Sequence, residues 1–129
     1  MEFATMSKRI LIVDDSLLMR RMIADCLTVA GLEVVAEASS GEEAVASFRE
    51  HRPDAVTLDI VMPGMGGLSA LEQILSIDRQ AKVVVVSALN QTRLITEAIR
   101  KGASEFIVKP FMPDQLLETL GVCLAAEVN

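Results

Sequence analysis

Residues 10–16 read ILIVDDS: four consecutive apolar residues, two aspartates and a serine. An unbroken apolar run of this kind predicts a β-strand that is covered on both faces, as strands of parallel sheets are. Ser16 is suited to cap a following helix, because its hydroxyl can accept a hydrogen bond from a free N–H group of the first turn. The stretch therefore predicts a strand, an acidic turn and a helix in that order.

The same order of strand, turn and helix recurs along the chain. Further strands are predicted at residues 34–36, 55–58, 82–86 and 105–108, and apolar residues at helical spacing follow each of them. Strands that alternate with helices predict a parallel sheet with helices on both faces. The expected fold class is therefore α/β, a doubly wound (βα)5 arrangement with a five-stranded parallel sheet.

The composition fits one acidic globular domain. The 129 residues are 51% hydrophobic, and 12 Lys and Arg against 18 Asp and Glu give a formal net charge of −6. An acidic chain without Trp or Tyr has neither the charge nor the stacking surface expected for nucleic-acid binding. No apolar run approaches the roughly 20 residues of a membrane-spanning helix. We expect no nucleic-acid partner and no membrane insertion.

The two cysteines, Cys26 and Cys123, lie in helix-like apolar stripes and form no CxxC pair. Free cysteines of this kind are usually buried and reduced. Reduced thiols are typical of cytosolic proteins, so the expected location is cytoplasmic.

Polar residues follow the predicted strands at their carboxyl ends: Asp14 and Asp15, Asp59, Ser87 and Lys109. In a doubly wound sheet, sites form just beyond these ends, so the five side chains are expected to meet. Three carboxylates in one place stay ionised only if a cation balances them, and Mg2+ prefers oxygen ligands. Carboxylates, a metal, a lysine and a hydroxyl suit phosphoryl transfer, with a carboxylate able to act as nucleophile. Asp59 is the natural candidate for that role.

Each of these residues also has an ordinary structural interpretation when taken alone. The acidic pair can be a turn with a charge that favours a helix N-terminus, and Asp59 can be a residue of a strand-end turn. Ser87 can be a loop hydroxyl, and Lys109 can be a solvated lysine. Their occurrence together at matching strand ends favours a shared site.

Two other functions are compatible with this architecture. A Mg2+-dependent phosphatase with an aspartate nucleophile needs an acid–base carboxylate two residues after the nucleophile, where Val61 stands after Asp59. A flavodoxin-like cofactor binder needs a phosphate-binding loop after the first strand, and residues 14–16 do not provide one. Both alternatives are therefore disfavoured.

Taken in order, the motifs resemble the receiver domain of two-component response regulators. They are IVDDS at residues 12–16, Asp59 followed by Met62-Pro63, Ser87-Ala88, and FIVKPF at residues 106–111. The likeness is greatest to single-domain regulators of the chemotaxis (CheY-like) type, which have the flavodoxin-like fold.

The resemblance implies a division of the chain into three parts. Residues 1–7 would be an N-terminal extension, either native or left over from cloning. Residues 8–126 would be the receiver domain, and residues 127–129 a C-terminal tail.

The resemblance also implies a metal site and a phosphorylation site. Asp59 would accept the phosphoryl group. Mg2+ would be bound by Asp15, by Asp59 and by the backbone carbonyl of Val61, while Asp14 would act mostly through metal-bound water. Lys109 would pair with Asp59 and then with the phosphoryl group.

Two further residues would form the switch. Ser87 would bond to a phosphoryl oxygen and move toward it, and Phe106 would follow inward into the space that Ser87 vacates. The bond between Lys109 and Pro110 is typically cis in this family.

The implied function is that of a stand-alone response regulator, which is a signalling protein and not an enzyme with a separate substrate. It would take its phosphoryl group from a histidine kinase and signal through altered docking of the face formed by residues 91–126, in chemotaxis. An output protein such as a flagellar motor switch component and a phosphatase are the other implied partners, and the expected state is a monomer or a weak dimer. The alternatives are a phosphorelay intermediate and a receiver excised from a larger regulator.

The sequence departs from the family pattern at several positions. Phe106 stands where many chemotaxis members have tyrosine, and Gly66 where an Asp or Asn commonly caps the third helix. That helix is therefore expected to lack a side-chain cap, and the loop before it is expected to be mobile. Val61 and Leu89 are apolar and cannot orient an attacking water, so slow self-dephosphorylation is expected.

Overall fold

The computed structural model describes residues 8–88 and 90–125. Within them, five strands alternate with five helices, which confirms the (βα)5 prediction. The elements are β1 (Arg9–Val13), α1 (Leu17–Val29), β2 (Glu33–Ala38), α2 (Gly41–His51), β3 (Ala55–Asp59), α3 (Gly66–Ile77), β4 (Val83–Ala88), α4 (Thr92–Lys101), β5 (Glu105–Lys109) and α5 (Pro113–Ala125). The predicted extension at residues 1–7, residue 126 and the predicted tail at residues 127–129 lie outside the described residues.

The strands form one parallel sheet in the order β2-β1-β3-β4-β5. The chain moves from β1 outward to β2 and then returns to place β3 on the other side of β1. The carboxyl ends of β1 and β3 therefore lie side by side where the winding reverses, which is where doubly wound folds place their ligand sites.

Alternating residues of the strands pack against helices on opposite faces of the sheet, as the pleat requires. Leu11 and Val13 of β1 lie in a hydrophobic cluster with buried residues of α2, α3 and α4. Ile10 and Ile12 lie in a second cluster with buried residues of α1 and α5. Both faces of β1 are thus covered, as its continuous apolar run predicts.

Two helices begin at serine caps, the first of which is the cap predicted at Ser16. The Ser16 hydroxyl accepts a hydrogen bond from the Met19 N–H at 3.2 Å, and the Ser40 hydroxyl accepts one from the Glu43 N–H at 3.1 Å. At the start of α3, Met65 provides no side-chain cap, as expected from the glycine that follows it. The predicted mobility of the preceding loop stays a prediction.

Two strands extend two residues beyond their predicted carboxyl ends. β2 runs from Glu33 to Ala38 and stays paired with β1 over this length, apart from one register shift. Its glutamates are tolerated because β2 is an edge strand with exposed positions. β4 continues through Ser87 and Ala88, so Ser87 is part of the strand rather than the residue after it, and it pairs with Val108. Hydropathy does not detect this extension, because hydrogen bonding to β5 determines where β4 ends.

The cysteines confirm the prediction in part. Cys123 is buried in α5, and burial raises the pKa of its thiol to about 11. Cys26 is only partly buried, contrary to the prediction, because the buried residues of α1 are Ile23 and Leu27. Burial and the nearby Asp114 carboxylate raise the pKa of Cys26, so both thiols are poorly reactive at neutral pH.

No helix among the described residues is long and apolar enough to cross a membrane.

Thr57 carries the one buried side-chain oxygen without a hydrogen-bond partner in the described part of the chain. It is 1% exposed, in register with Ile12 of β1 and Val84 of β4. Replacing Thr57 with Val keeps the branched shape and removes the unpaired hydroxyl. We expect Thr57→Val to raise the free energy of unfolding by about 1 kcal/mol, measured by urea denaturation.

Thr57→Ser is the matched control, because it keeps the hydroxyl and removes the methyl group. It is expected to lower the free energy of unfolding by about 1 kcal/mol. A Thr57→Val variant less stable than the parent protein would show that the hydroxyl is satisfied in solution.

Candidate functional site

The carboxylates of Asp14, Asp15 and Asp59 converge at the carboxyl ends of β1 and β3. One carboxylate oxygen from each lies within 4.8 Å of the others. Asp14 and Asp59 are buried, at 1% and 6% exposure, whereas Asp15 is exposed. The sequence prediction that these three side chains meet is consistent with this geometry.

Asp14 is held by contacts with four elements or loops. Its N–H donates to the Ala38 carbonyl at 3.0 Å, and its backbone carbonyl accepts from Nη1 of Arg20 at 2.7 Å. Its carboxylate accepts from the Ser16 N–H at 2.9 Å and from Nζ of Lys109 at 3.1 Å. The Asp14 backbone is thus held from the end of β2 and from α1, and its carboxylate is held by the Ser16 N–H and by Lys109 of β5.

Lys109 supplies the positive charge closest to the cluster. Its Nζ lies 3.1 Å from Asp14 Oδ2 and 3.5 Å from Asp59 Oδ2, so one ammonium group bridges two carboxylates. The peptide bond that joins Lys109 to Pro110 is cis, as the resemblance implies.

Asp59 is the carboxylate whose ionisation is most perturbed. Burial and the neighbouring Asp14 carboxylate raise the pKa of Asp59 to about 6, and Asp15 adds a smaller effect in the same direction. Lys109 and the Val61 N–H, which donates to Asp59 Oδ1 at 3.3 Å, oppose the rise only in part. At neutral pH the positive charge of Lys109 therefore does not balance the negative charge of the carboxylates.

This donor set fits a hard divalent cation. Three carboxylates with oxygen atoms within 4.8 Å of one another form the kind of anionic, all-oxygen set that Mg2+ prefers. A bound divalent cation would supply the charge that Lys109 alone does not balance. The exposed position of Asp15 leaves one side of the set open to solvent, which suits an ion that retains several water ligands.

Ser87 lies near the carboxyl end of β4, whereas Phe106 is the second residue of β5, and no hydrogen bond joins Ser87 to the carboxylates among the described residues. Ser87 is buried, and its hydroxyl donates to the Ala88 carbonyl at 3.4 Å. The Ala88 N–H donates to the side-chain oxygen of Gln91 at 2.8 Å. Phe106 is 44% exposed and lines a surface cavity between α4 and β5. Leu89, predicted to flank the phosphoryl group, lies outside the described residues.

Gly67, in the first turn of α3, is a requirement of the site that sequence reasoning missed. A Cβ atom at this position would lie 2.5 Å from the Asp59 carbonyl oxygen and 2.5 Å from the Ile60 Cα. The Gly67 N–H donates to the Ile60 carbonyl at 3.1 Å. The signal in the sequence is the Gly66-Gly67 pair, of which only Gly66, as a missing helix cap, enters the prediction.

We expect Asp59→Asn to raise the free energy of unfolding by about 2 kcal/mol at pH 7.5 without Mg2+. The pKa of Asp59 is about 6 in the folded protein, against an ordinary value of 3.8. Between these two pH values the native state binds more protons than the unfolded state, so stability falls as pH rises and stays reduced above pH 6. The asparagine removes this penalty.

Urea denaturation at several pH values measures the effect. Near pH 3.5 the carboxyl is protonated in the native state and largely so in the unfolded state, so the substitution is expected to change little there. An equal change in stability at every pH would contradict the raised pKa of Asp59.

Gly67→Ala is expected to lower the free energy of unfolding by about 1–3 kcal/mol, because the new methyl group meets backbone atoms that cannot move independently of β3. Gly121→Ala in α5 is the matched control, since a Cβ there meets nothing within 4 Å. That control is expected to gain up to about 1 kcal/mol from helix propensity. Equal stabilisation of both variants in thermal unfolding would show that α3 can move away from Asp59.

Comparison with known proteins agrees with this geometry. The family model of the response regulator receiver domain matches residues 10–121. Chemotaxis protein CheY of Thermotoga maritima is 50% identical over 115 residues, which cover 89% of this chain and 96% of that protein. CheY of Bacillus subtilis is 50% identical over 119 residues, which cover 92% and 99%.

A solved structure agrees as well. The CheX-CheY-BeF3-Mg2+ complex from Borrelia burgdorferi matches with a TM-score of 0.89 and 34% identity, over 100% of this chain and 96% of that one. The residues matched by the family model include Asp14, Asp59 and Lys109. This chain belongs to the response regulator receiver domain family and is closely similar to the CheY chemotaxis proteins.

Proposed function

We propose that the protein is a stand-alone chemotaxis response regulator that accepts a phosphoryl group on Asp59 from a histidine kinase. The observation that carries this proposal is the convergence of three carboxylates around Asp59, with Lys109 bridging two of them. The match to almost the full length of two CheY proteins favours the stand-alone interpretation over a phosphorelay intermediate or an excised receiver.

In the proposed reaction, a carboxylate oxygen of Asp59 attacks the phosphorus of a phosphohistidine. A phosphorus–oxygen bond forms as the phosphorus–nitrogen bond breaks, and the electron pair leaves with the imidazole. Asp59 is suited to attack because it is held by the Val61 N–H at 3.3 Å and by Lys109 at 3.5 Å. Lys109 then stabilises the charge on the transferred group, as a fixed cation does in phosphoryl transfer.

Mg2+ is the proposed cofactor. Asp15, Asp59 and the backbone carbonyl of Val61 would bind it directly, and Asp14 would bind it mostly through water. When bound, it would neutralise charge on the carboxylates and on the phosphoryl oxygens. The convergence of the three carboxylates and the raised pKa of Asp59 support this assignment.

Ser87 and Phe106 are the proposed switch residues. The Ser87 hydroxyl donates to the Ala88 carbonyl at 3.4 Å, a long hydrogen bond that a phosphoryl oxygen would outcompete as an acceptor. A rotation of Ser87 toward Asp59 would leave space for Phe106, which is 44% exposed. Movement of Phe106 would change the shape of the face formed by residues 91–126, and altered docking there would be the signal.

The remaining partners are proposed at the level of classes. An output protein such as a flagellar motor switch component would read the face, and a phosphatase would end the signal. The Borrelia burgdorferi neighbour is a CheY in complex with CheX, which supports protein partners as a class. Receiver domains are signalling proteins, so we propose that the protein has no separate substrate. We also propose a cytoplasmic location and a monomeric or weakly dimeric state.

Intact mass spectrometry after incubation with acetyl phosphate tests the proposal. With Mg2+ the protein is expected to gain one phosphoryl group, and EDTA or Asp59→Asn is expected to abolish the gain. Asp25→Asn is the matched control, because Asp25 is an exposed carboxylate of α1 outside the cluster. An adduct that survives in Asp59→Asn, or no adduct on folded protein, would refute the assignment of Asp59.

A further inference from the structure

We propose that Arg20 is a positioning residue that holds the peptide between Asp14 and Asp15 in the orientation that Mg2+ binding requires. This inference rests on the proposed function, since it assumes that the carboxylate cluster binds Mg2+. Arg20 touches neither Asp59 nor a carboxylate of the cluster in the described structure, so its effect is exerted through the backbone.

Arg20 joins three parts of the fold. From the first turn of α1, its Nη1 donates to the Asp14 carbonyl at 2.7 Å, and its Nε donates to Oε1 of Glu37, near the end of β2, at 3.0 Å. The Arg20 side chain is only 15% exposed. Because the guanidinium is planar and bonds to two anchors at once, its orientation is set by both of them.

Asp15 is the ligand whose position depends most on this contact. Its carboxylate is exposed, and no hydrogen bond or ion pair holds it among residues 8–88 and 90–125. The Asp14 carboxylate, in contrast, is held by Ser16 and Lys109. Repulsion from Asp14 and Asp59 favours outward movement of Asp15. The Asp14 carbonyl belongs to the peptide unit that precedes Asp15. The hydrogen bond from Arg20 to this carbonyl therefore restricts the position of the Asp15 Cα atom, from which the side chain extends.

A competing effect has the opposite sign. A positive charge near a cation site weakens cation binding, so removal of Arg20 would strengthen Mg2+ binding if electrostatics dominated. The ion pair with Glu37 offsets part of this charge. We infer that positioning outweighs repulsion, because Arg20 contacts the peptide of two ligands directly and its charge is shared with Glu37.

Isothermal titration calorimetry with MgCl2 separates the two effects. Arg20→Lys keeps the positive charge but cannot bond to Asp14 and Glu37 in the same forked geometry. Arg20→Gln removes the positive charge as well as the forked geometry. We expect the Mg2+ dissociation constant to rise about 10-fold in each variant, a size typical of residues that orient metal ligands. Arg21→Gln is the matched control, because Arg21 is the exposed neighbour and loses the same charge. It is expected to stay within about 2-fold of the parent protein.

A second measurement uses phosphorylation by acetyl phosphate over a range of Mg2+ concentrations. The half-saturating Mg2+ concentration is expected to rise by the same factor in the Arg20 variants. The rate at saturating Mg2+ is expected to stay within about 2-fold, because Arg20 does not contact Asp59. Circular dichroism of each variant confirms that it is folded.

Three outcomes would overturn the inference. Binding by Arg20→Lys that equals the parent protein would exclude positioning, and tighter binding by Arg20→Gln would show that repulsion dominates. A rate that stays low at saturating Mg2+ would indicate general damage to the site. If the parent protein itself binds no Mg2+, the proposed function and this inference both fail, whereas the first three outcomes leave the proposed function intact.

Discussion

The site depends on the repulsion among three carboxylates that the fold forces together. One oxygen of each carboxylate lies within 4.8 Å of the others. Among the described residues, Lys109 is the only lysine that forms an ion pair with Asp14 and Asp59. Burial, together with the unbalanced part of this repulsion, raises the pKa of Asp59 to about 6. An excess of negative charge of this kind favours the binding of a divalent cation. Without such an ion, a cationic side chain such as Lys109 balances part of the charge.

The packing of the sheet supplies the free energy that opposes this repulsion. The residues of β1 and β3 that precede the aspartates are buried almost without exception, and they pack against helices on both faces. Moving Asp14 or Asp59 outward would require these strands to shift relative to the helices that cover both faces of the sheet. Gly67 adds a local constraint, since α3 approaches the Asp59–Ile60 backbone more closely than any residue with a Cβ allows.

Most of the fold and the main residues of the site could be predicted from the sequence, because both depend on local patterns. The apolar run at residues 10–13 predicts a covered strand, and the rule that sites form at strand ends connects Asp14, Asp59 and Lys109 across the chain. The contacts of Arg20 and the role of Gly67 could not be predicted in this way. They depend on distances between elements, and a glycine needed for close approach looks the same in a sequence as one needed for a turn. The end of β4 was missed for a similar reason, since pairing with β5 determines it.

The burial of β3 has a consequence for how motion is distributed in the protein. All five of its residues are buried, and it is hydrogen-bonded to a strand on each side. Amide protons in such a strand exchange with solvent mainly when the whole domain unfolds, while exposed segments open at much lower cost. Asp59 therefore stands on a strand whose amide protons are expected to exchange slowly, whereas Phe106 stands on the edge strand β5, which is paired on one side only. The proposed phosphorylation site and the proposed readout residue thus lie on strands that differ in burial and in pairing.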